Sequence, residues 1–196
     1  QALMKPPDAR GTVSQVMIGA NMPIIYAMGL SLIGGGLIYD KSANGSINWD
    51  RTQIFVYSAA GPIEQFIDLL GDYKAMNFSG ANWNASRAAT GYYGPNGDNS
   101  SGYLWLNTRK GERPDTALTA YPGRAAFAEW TSAHKLSGFA AAAVTMEFDK
   151  EGERWASGIP QWGMLAKWVK VYDPRKDSTY PGGSGTQRWD DEASWA

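Results

Sequence analysis

SGIPQWGMLAKWVKVYDPRKD, running from Ser157 to Asp177, is the stretch whose reading decides the fold of this chain. Ile159 precedes Pro160, and a residue before proline is pushed out of the α region into extended backbone. Gly163 to Tyr172 is then a short, mostly apolar run, closed by the turn signal Asp173-Pro174. Met164, Leu165, Trp168, Val169 and Tyr172 would also suit one face of a helix. The run is short, ends in Val169-Lys170-Val171-Tyr172 and is bracketed by Gly, Pro and Asp, so strand is the expectation. Leu165, Val169 and Val171 would lie on one side, and Met164, Ala166, Trp168 and Tyr172 on the other. Both sides are mostly apolar, which predicts a strand buried on two faces or set against a partner.

Composition supports a β-rich chain. Of 196 residues, 43% are hydrophobic and 13% aromatic, with nine Trp and 23 Gly. That is enough apolar material for a sizeable core in one large or two small domains. Many glycines and aromatics with few helix-forming runs point to strands and turns. With 18 basic and 19 acidic residues, the net charge of −1 gives no electrostatic case for nucleic acid or an anionic membrane. Cysteine is absent, which removes disulfides, thiolate chemistry and cysteine-type zinc sites. No apolar run approaches the roughly 18 residues that span a bilayer, and no signal peptide is expected. No cofactor is expected. With no natural beginning or end visible, the chain reads as a piece of a longer protein.

Outward from the central stretch, residues 1–11 read as a linker and 177–196 as an exit loop. The β-rich region is expected over 12–176, with a loop-rich excursion at about 77–123. Strands are expected at Thr12–Ile18, Pro23–Tyr26, Leu30–Tyr39, Gln53–Ser58, Tyr103–Leu106 and Gly138–Asp149. Gly34-Gly35-Gly36 inside one of them predicts a bulge or a close backbone approach. A phosphate loop is disfavoured there, since no Lys-Ser/Thr follows. In Gly138–Asp149, Thr145, Glu147 and Asp149 alternate with Val144, Met146 and Phe148, so its second half should be sided. Residues 61–70 fit two templates. Ile63, Phe66, Ile67 and Leu70 have helix spacing, with Pro62 at the first turn and Gly71 after the last. Alternatively, Ile67–Leu70 and Tyr73–Met76 pair across Gly71-Asp72 as a hairpin, which is slightly preferred. Arg124–His134 is the one short helix expected. The fold class is thus mainly β, barrel or sandwich, with α+β as the alternative.

Four blocks in order resemble the tail hub proteins of long-tailed bacteriophages, the lambda-type host-specificity or tip attachment family. The first is Asn21-Met22-Pro23-Ile24-Ile25-Tyr26 with Gly34-Gly35-Gly36-Leu37-Ile38-Tyr39, although Ala27 stands where a glycine is usual. The second is Ile54 to Ile63, ending in Gly61-Pro62-Ile63. The third is His134 to Ala140 followed by Val144 to Asp149, and the fourth is the central stretch with its KVYDPR ending. The resemblance implies a virion structural protein, made in the bacterial cytoplasm and placed at the tail tip or baseplate hub. It would close the tail tube and carry host-recognition parts. Prophage and gene-transfer-agent proteins share the plan. The expected partners are tube, distal tail and fibre proteins, the expected state is a homotrimer, and no catalysis is expected.

The candidate chemistry is sparse. Asp40, Ser42, Asn44 and Asn48 fall at positions one, three, five and nine of a calcium loop, with Gly45 at the sixth. Position twelve is Arg51 rather than a bidentate Glu, so an Asn-Gly loop before the strand at Gln53 is the preferred reading of residues 40–51. His134 is the only histidine, and Ser137 nearby does not make a catalytic triad. Glu64 with Asp68, Glu147 with Asp149, and Asp190-Asp191-Glu192 are the carboxylate sets a glycosidase would need. Trp83, Tyr92, Tyr93, Tyr103 and Trp105 cluster around the Asn/Gly-rich excursion. Such rings can stack on sugars, anchor loops or fill an interface, and the interface is preferred. Trp162, Trp168 and Tyr172 are expected in the core or an interface. The alternative function is a carbohydrate-binding module for host surface glycans.

Overall fold

The computed structural model describes residues 23–43, 50–80, 83, 87–90, 103–119, 129–148, 155, 158–172 and 189–190. These residues are all β and irregular chain, with no helix among them. The strands are β1 (Leu30–Ile33), β2 (Gly36–Ala43), β3 (Asp50–Ser58), β4 (Gln65–Gly71), β5 (Lys74–Met76), β6 (Arg87–Ala88), β7 (Leu104–Arg109), β8 (Ala140–Glu147), β9 (Trp162–Lys167), β10 (Val171–Tyr172) and β11 (Trp189–Asp190). They form a four-stranded sheet ordered β1-β9-β4-β5, a five-stranded sheet ordered β2-β3-β8-β7-β6, and the short pair β10-β11. Neighbours within each sheet run antiparallel. β11 falls in the segment read as an exit loop.

The central stretch behaves as a strand, with one correction. In β9 and just beyond it, Trp162, Met164, Ala166 and Trp168 are buried, while Leu165, Lys167 and Val169 are half-buried. One side therefore faces the core and the other is only partly covered, so of the two expectations burial on both faces is ruled out and a face open to a partner is left. The ladder also breaks after Lys167. Val169 bridges Met28 in parallel, and pairing resumes at Val171.

The hairpin prevails over the helix at residues 65–76. β4 lies between β9 and β5, and those ladders satisfy its backbone on both sides. The turn is Asp72-Tyr73, one residue later than Gly71-Asp72, and both residues have positive φ (47° and 64°). That is the twist of a type I′ turn. A register shift between Phe66 and Asp68 marks a bulge. The bulge lets Phe66 and Leu69, three apart, both point inward and become fully buried. Spacing of three in a bulged strand imitates helical spacing, which is why the sequence fitted both templates.

Leu30–Tyr39 is two strands in different sheets. β1 joins the four-stranded sheet and β2 the five-stranded one, and Gly34-Gly35 carries the chain across. A Cβ at Gly35 would lie 2.8 Å from Phe55 Cβ and from the Tyr57 ring, so only glycine lets the backbone pass. The strand expected at Pro23–Tyr26 does not form. Pro23 has no amide hydrogen for a ladder, and the Ile25 carbonyl instead accepts from Ala59 N at 2.9 Å. Thr12–Ile18 lies outside the described residues.

The two sheets pack face to face across one apolar cluster. Phe55, Tyr57, Leu104, Leu106, Val144 and Met146 come from the five-stranded sheet, and Phe66, Leu69, Met76, Met164 and Ala166 from the four-stranded one. Trp168 sits at the junction, fully buried. Its Nε1 donates to the Ser31 carbonyl at 2.9 Å, and its ring lies 6.1 Å from Tyr57 and 6.4 Å from Phe66. The second half of β8 is less sided than expected. Thr145 is buried on the outer side, where its hydroxyl meets that of Thr52 at 2.9 Å.

The outer side of the five-stranded sheet is covered by irregular chain. Ile54, Val56, Ala141 and Ala143 pack against Leu118, with Tyr39, Trp130, Leu136 and Phe139 around them. Arg109, only 7% exposed, pins this cover by donating to the carbonyls of Thr116 and Ala117 at 3.1 and 2.9 Å. The Asp115 carboxylate accepts from the backbone N–H groups of Gly111, Glu112 and Thr116. The described end of the expected helix, 129–134, is turns, and 124–128 lie outside the described residues. Thr131 Oγ1 accepts from Ala133 N, and His134 Nδ1 accepts from Thr131 N. Side chains that bond nearby backbone in this way compete with helix.

Candidate functional site

Of the aromatic cluster expected to be a stacking or interface surface, one ring is internal and two are half-buried. Trp105, on β7, is 4% exposed. Trp83 is half-buried, its ring 5.8 Å from that of Phe66, and its carbonyl accepts a hydrogen bond from Thr108 Oγ1. Tyr103, just before β7, is half-buried. Tyr92 and Tyr93 lie outside the described residues. Trp162 and Trp168 are core residues, as expected. Tyr172 lies in β10, opposite Trp189.

The calcium-like spacing is occupied by a strand pair. Of the segment 40–51 read as loop, residues 40–43 continue β2 and residues 50–51 begin β3, and 44–49 lie outside the described residues. Asp40 and Ser42 are strand residues, and Asn44 and Asn48 lie outside the described residues. Both Asp40 oxygens are taken by Arg51, at 2.7 Å from Nε and 2.6 Å from Nη2, and Gln53 Nε2 donates from 3.2 Å. Burial alone would raise the Asp40 pKa, but the hydrogen bonds from Arg51 and Gln53 and the charge of Arg51 hold it below the usual carboxylate value. The Asp40 hydrogen bond raises the Arg51 pKa in turn. Arg51, which spoiled the twelfth calcium position, is thus the partner of the first. Among the described residues, no three His, Asp or Glu side chains are grouped to hold a metal ion.

Other candidates serve local structure. His134 stacks on Trp130 at 4.9 Å, and Ser137 Oγ accepts from Asp115 N at 3.1 Å. Glu64 pairs with Lys170 at 2.7 Å beside a polar cleft lined by Pro62, Lys110, Glu112 and Val169. Asp149, Asp191 and Glu192 lie outside the described residues.

Two surface features escaped the sequence. The first is an apolar strip. Of the large apolar side chains exposed among the described residues, Ile24, Ile25, Tyr26, Met28 and Leu32 are close together in the chain. Ala27 points inward between them, and its N–H donates to Ser58 Oγ at 3.3 Å. Among the described residues, β1, which carries Leu32, is an edge strand with β9 as its only partner. The second is a notch of about 190 Å³ on the outer face of the four-stranded sheet, lined by Leu32, Gly34, Leu70, Tyr73, Gln161, Trp162 and Gly163. Tyr73 is 73% exposed. An apolar run such as Pro23–Tyr26 reads as core from sequence, and only the failure of its strand turns it outward. No protein-family model matches the chain, and no curated protein matches it.

Proposed function

We propose that this chain is a structural subunit of a phage tail tip or baseplate hub, working by shape and burial rather than by catalysis. The observation that carries the reading is the apolar strip Ile24–Ile25–Tyr26–Met28, continued by Leu32 on edge strand β1. Contiguous exposed apolar surface marks a contact face, and an edge strand offers unpaired backbone groups to a neighbour. Ile24, Ile25 and Tyr26 fall within the first of the four blocks that resemble the hub family, and Met28 and Leu32 lie between its two parts. A core shared by the two sheets, with Trp155, Trp162 and Trp168 in it, suits a subunit that works by shape. On this reading the subunit forms a homotrimer and meets tube, distal tail and fibre proteins.

The test is the mass in solution, by light scattering, of the natural full-length protein and of its Tyr26→Asp, Met28→Asp variant. A trimer that dissociates in the double variant is the expected result. A full-length monomer at all concentrations removes the hub reading. The glycan-binding alternative loses Trp105 as a stacking platform, because that ring is inside.

A further inference from the structure

We propose that the notch beside Tyr73 is a binding site for one neutral sugar ring, an exposed pyranose of a glycan. The inference does not depend on the assembly role above, and it uses none of the aromatics first expected to bind sugar.

Three independent features meet at the notch. The first is the presentation of Tyr73. At φ 64° it occupies the left-handed region that a bulky L residue avoids, yet it is 73% exposed and fills no core space. Asn-Gly is the usual choice for such a turn. Strain at an exposed aromatic points to function rather than packing. The second is the way the turn is held. Asp72 N donates to the Gln161 carbonyl at 3.0 Å, and Gln161 N donates to Asp72 Oδ1 at 2.9 Å. This double clamp fixes the ring-bearing turn against the start of β9, so little ordering remains for a ligand to impose. The third is the floor. Gly163 lies opposite Leu70 in the sheet. A Cβ there would come within 3.1 Å of Leu32 Cδ1, so Leu32 packs over the glycine as a wall of the notch, and a side chain at 163 would push it into the notch.

The lining selects the ligand class. Leu32 and Leu70 offer apolar walls, Tyr73 an aromatic ring, and Gln161 an amide within the same notch. Ring stacking with amide and hydroxyl hydrogen bonds suits the C–H face and hydroxyls of a sugar. The volume of about 190 Å³ is below the ~300–1,000 Å³ of pockets for drug-sized ligands, so it fits a single ring. No Asp, Glu, Lys or Arg lines it, which favours an uncharged ligand.

The experiment is saturation-transfer NMR on the intact chain with methyl glycosides of glucose, galactose, mannose and N-acetylglucosamine, and with N-acetyl-tryptophan amide. Three variants are compared. Tyr73→Gly removes the ring at a φ that glycine accepts, so the fold is retained. Gly163→Val fills the floor. Ile38→Ala removes an exposed apolar side chain from β2 of the other sheet, away from the strip and the notch. The expected result is transfer to at least one glycoside, weakened about tenfold or more by Tyr73→Gly and by Gly163→Val and unchanged by Ile38→Ala. No transfer to any glycoside overturns the proposal. So does transfer that survives Tyr73→Gly or is lost equally in Ile38→Ala. Binding at Tyr73 of the tryptophan amide alone assigns the notch to a side chain of a partner protein, which also overturns it.

Discussion

The outer faces of the two sheets are finished in opposite ways. The five-stranded sheet is roofed by residues 110–119 and 129–139, with Leu118, Leu136 and Phe139 pressed onto Ile54, Val56, Ala141 and Ala143. The four-stranded sheet keeps Leu32 42% exposed and Leu165 and Leu70 half-exposed, with the Tyr73 notch open beside them. Both faces carry apolar side chains. Among the described residues, only one has a buried arginine, Arg109, and a fully engaged aspartate, Asp115, fastening chain over it. The difference teaches that side-chain hydrophobicity does not say which sheet face is interior. Whether chain is anchored above it does. The bare face is where stability has been left aside and binding is to be sought.

That contrast can be broken by mutation. The largest effect is expected at the core both sheets share. Trp168→Ala should destabilise by about 3–5 kcal/mol in urea unfolding, since it removes the ring that joins Tyr57 to Phe66. A wild-type-like midpoint would defeat the two-sheet packing. On the roofed face, Leu118→Ala should cost about 2–4 kcal/mol. A loss near zero would mean that the roof is not fastened and the two faces are alike.

Smaller still is the Asp40–Arg51 pair at the start of the β2–β3 hairpin. Its side chains are 25% and 34% exposed, so solvent screening holds its worth below about 1 kcal/mol. Asp40 has a depressed folded pKa. Its contribution is therefore present above the ordinary carboxylate value near ~4 and is lost as pH falls through the folded pKa. Asp40→Asn should flatten the acid limb of the stability–pH curve by that amount. An unchanged acid limb would show the pair to be energetically idle. The smallest effect belongs to the bare face. Leu32→Ser should shift stability by no more than about 0.5 kcal/mol. A cost like that of Leu118→Ala would mean that the face is covered after all.

How much of this was legible beforehand depends on the range of the forces involved. The alternation of Trp162, Met164, Ala166 and Trp168 is local and reads as a strand with one core face. The close approach at Gly35 was also visible, since a run of glycines inside an apolar stretch predicts a bulge or a tight backbone passage. That the same glycines transfer the chain between sheets was not, since Phe55 and Tyr57 set that crowding from elsewhere. The bulge at residue 67 belongs to the ladder with β9, and a partner about a hundred positions away leaves no mark on local periodicity. The roof is the same case. Leu118 and Phe139 lie in segments without period, and what places them is Arg109 reaching carbonyls at Thr116 and Ala117. The burial of Trp105 was not legible either, because a tryptophan in β7 looks identical whether its side of the sheet is bare or covered.

The crossing at Gly34-Gly35 is one of several, and together they interleave the layers. β1 belongs to one sheet, β2 and β3 to the other, β4 and β5 to the first again, β6, β7 and β8 to the second, and β9 returns to the first. Neither layer is a continuous piece of chain, so neither can be cut out, swapped or released by a protease as a unit. A nascent chain must be synthesised through Lys167 before β1 and β4 gain the strand that lies between them. Until then Phe66, Leu69 and the edge of β4 stay uncovered. Folding is bound to be late, non-local and slow, and it leaves a window in which other copies of the chain compete for the same strand edges.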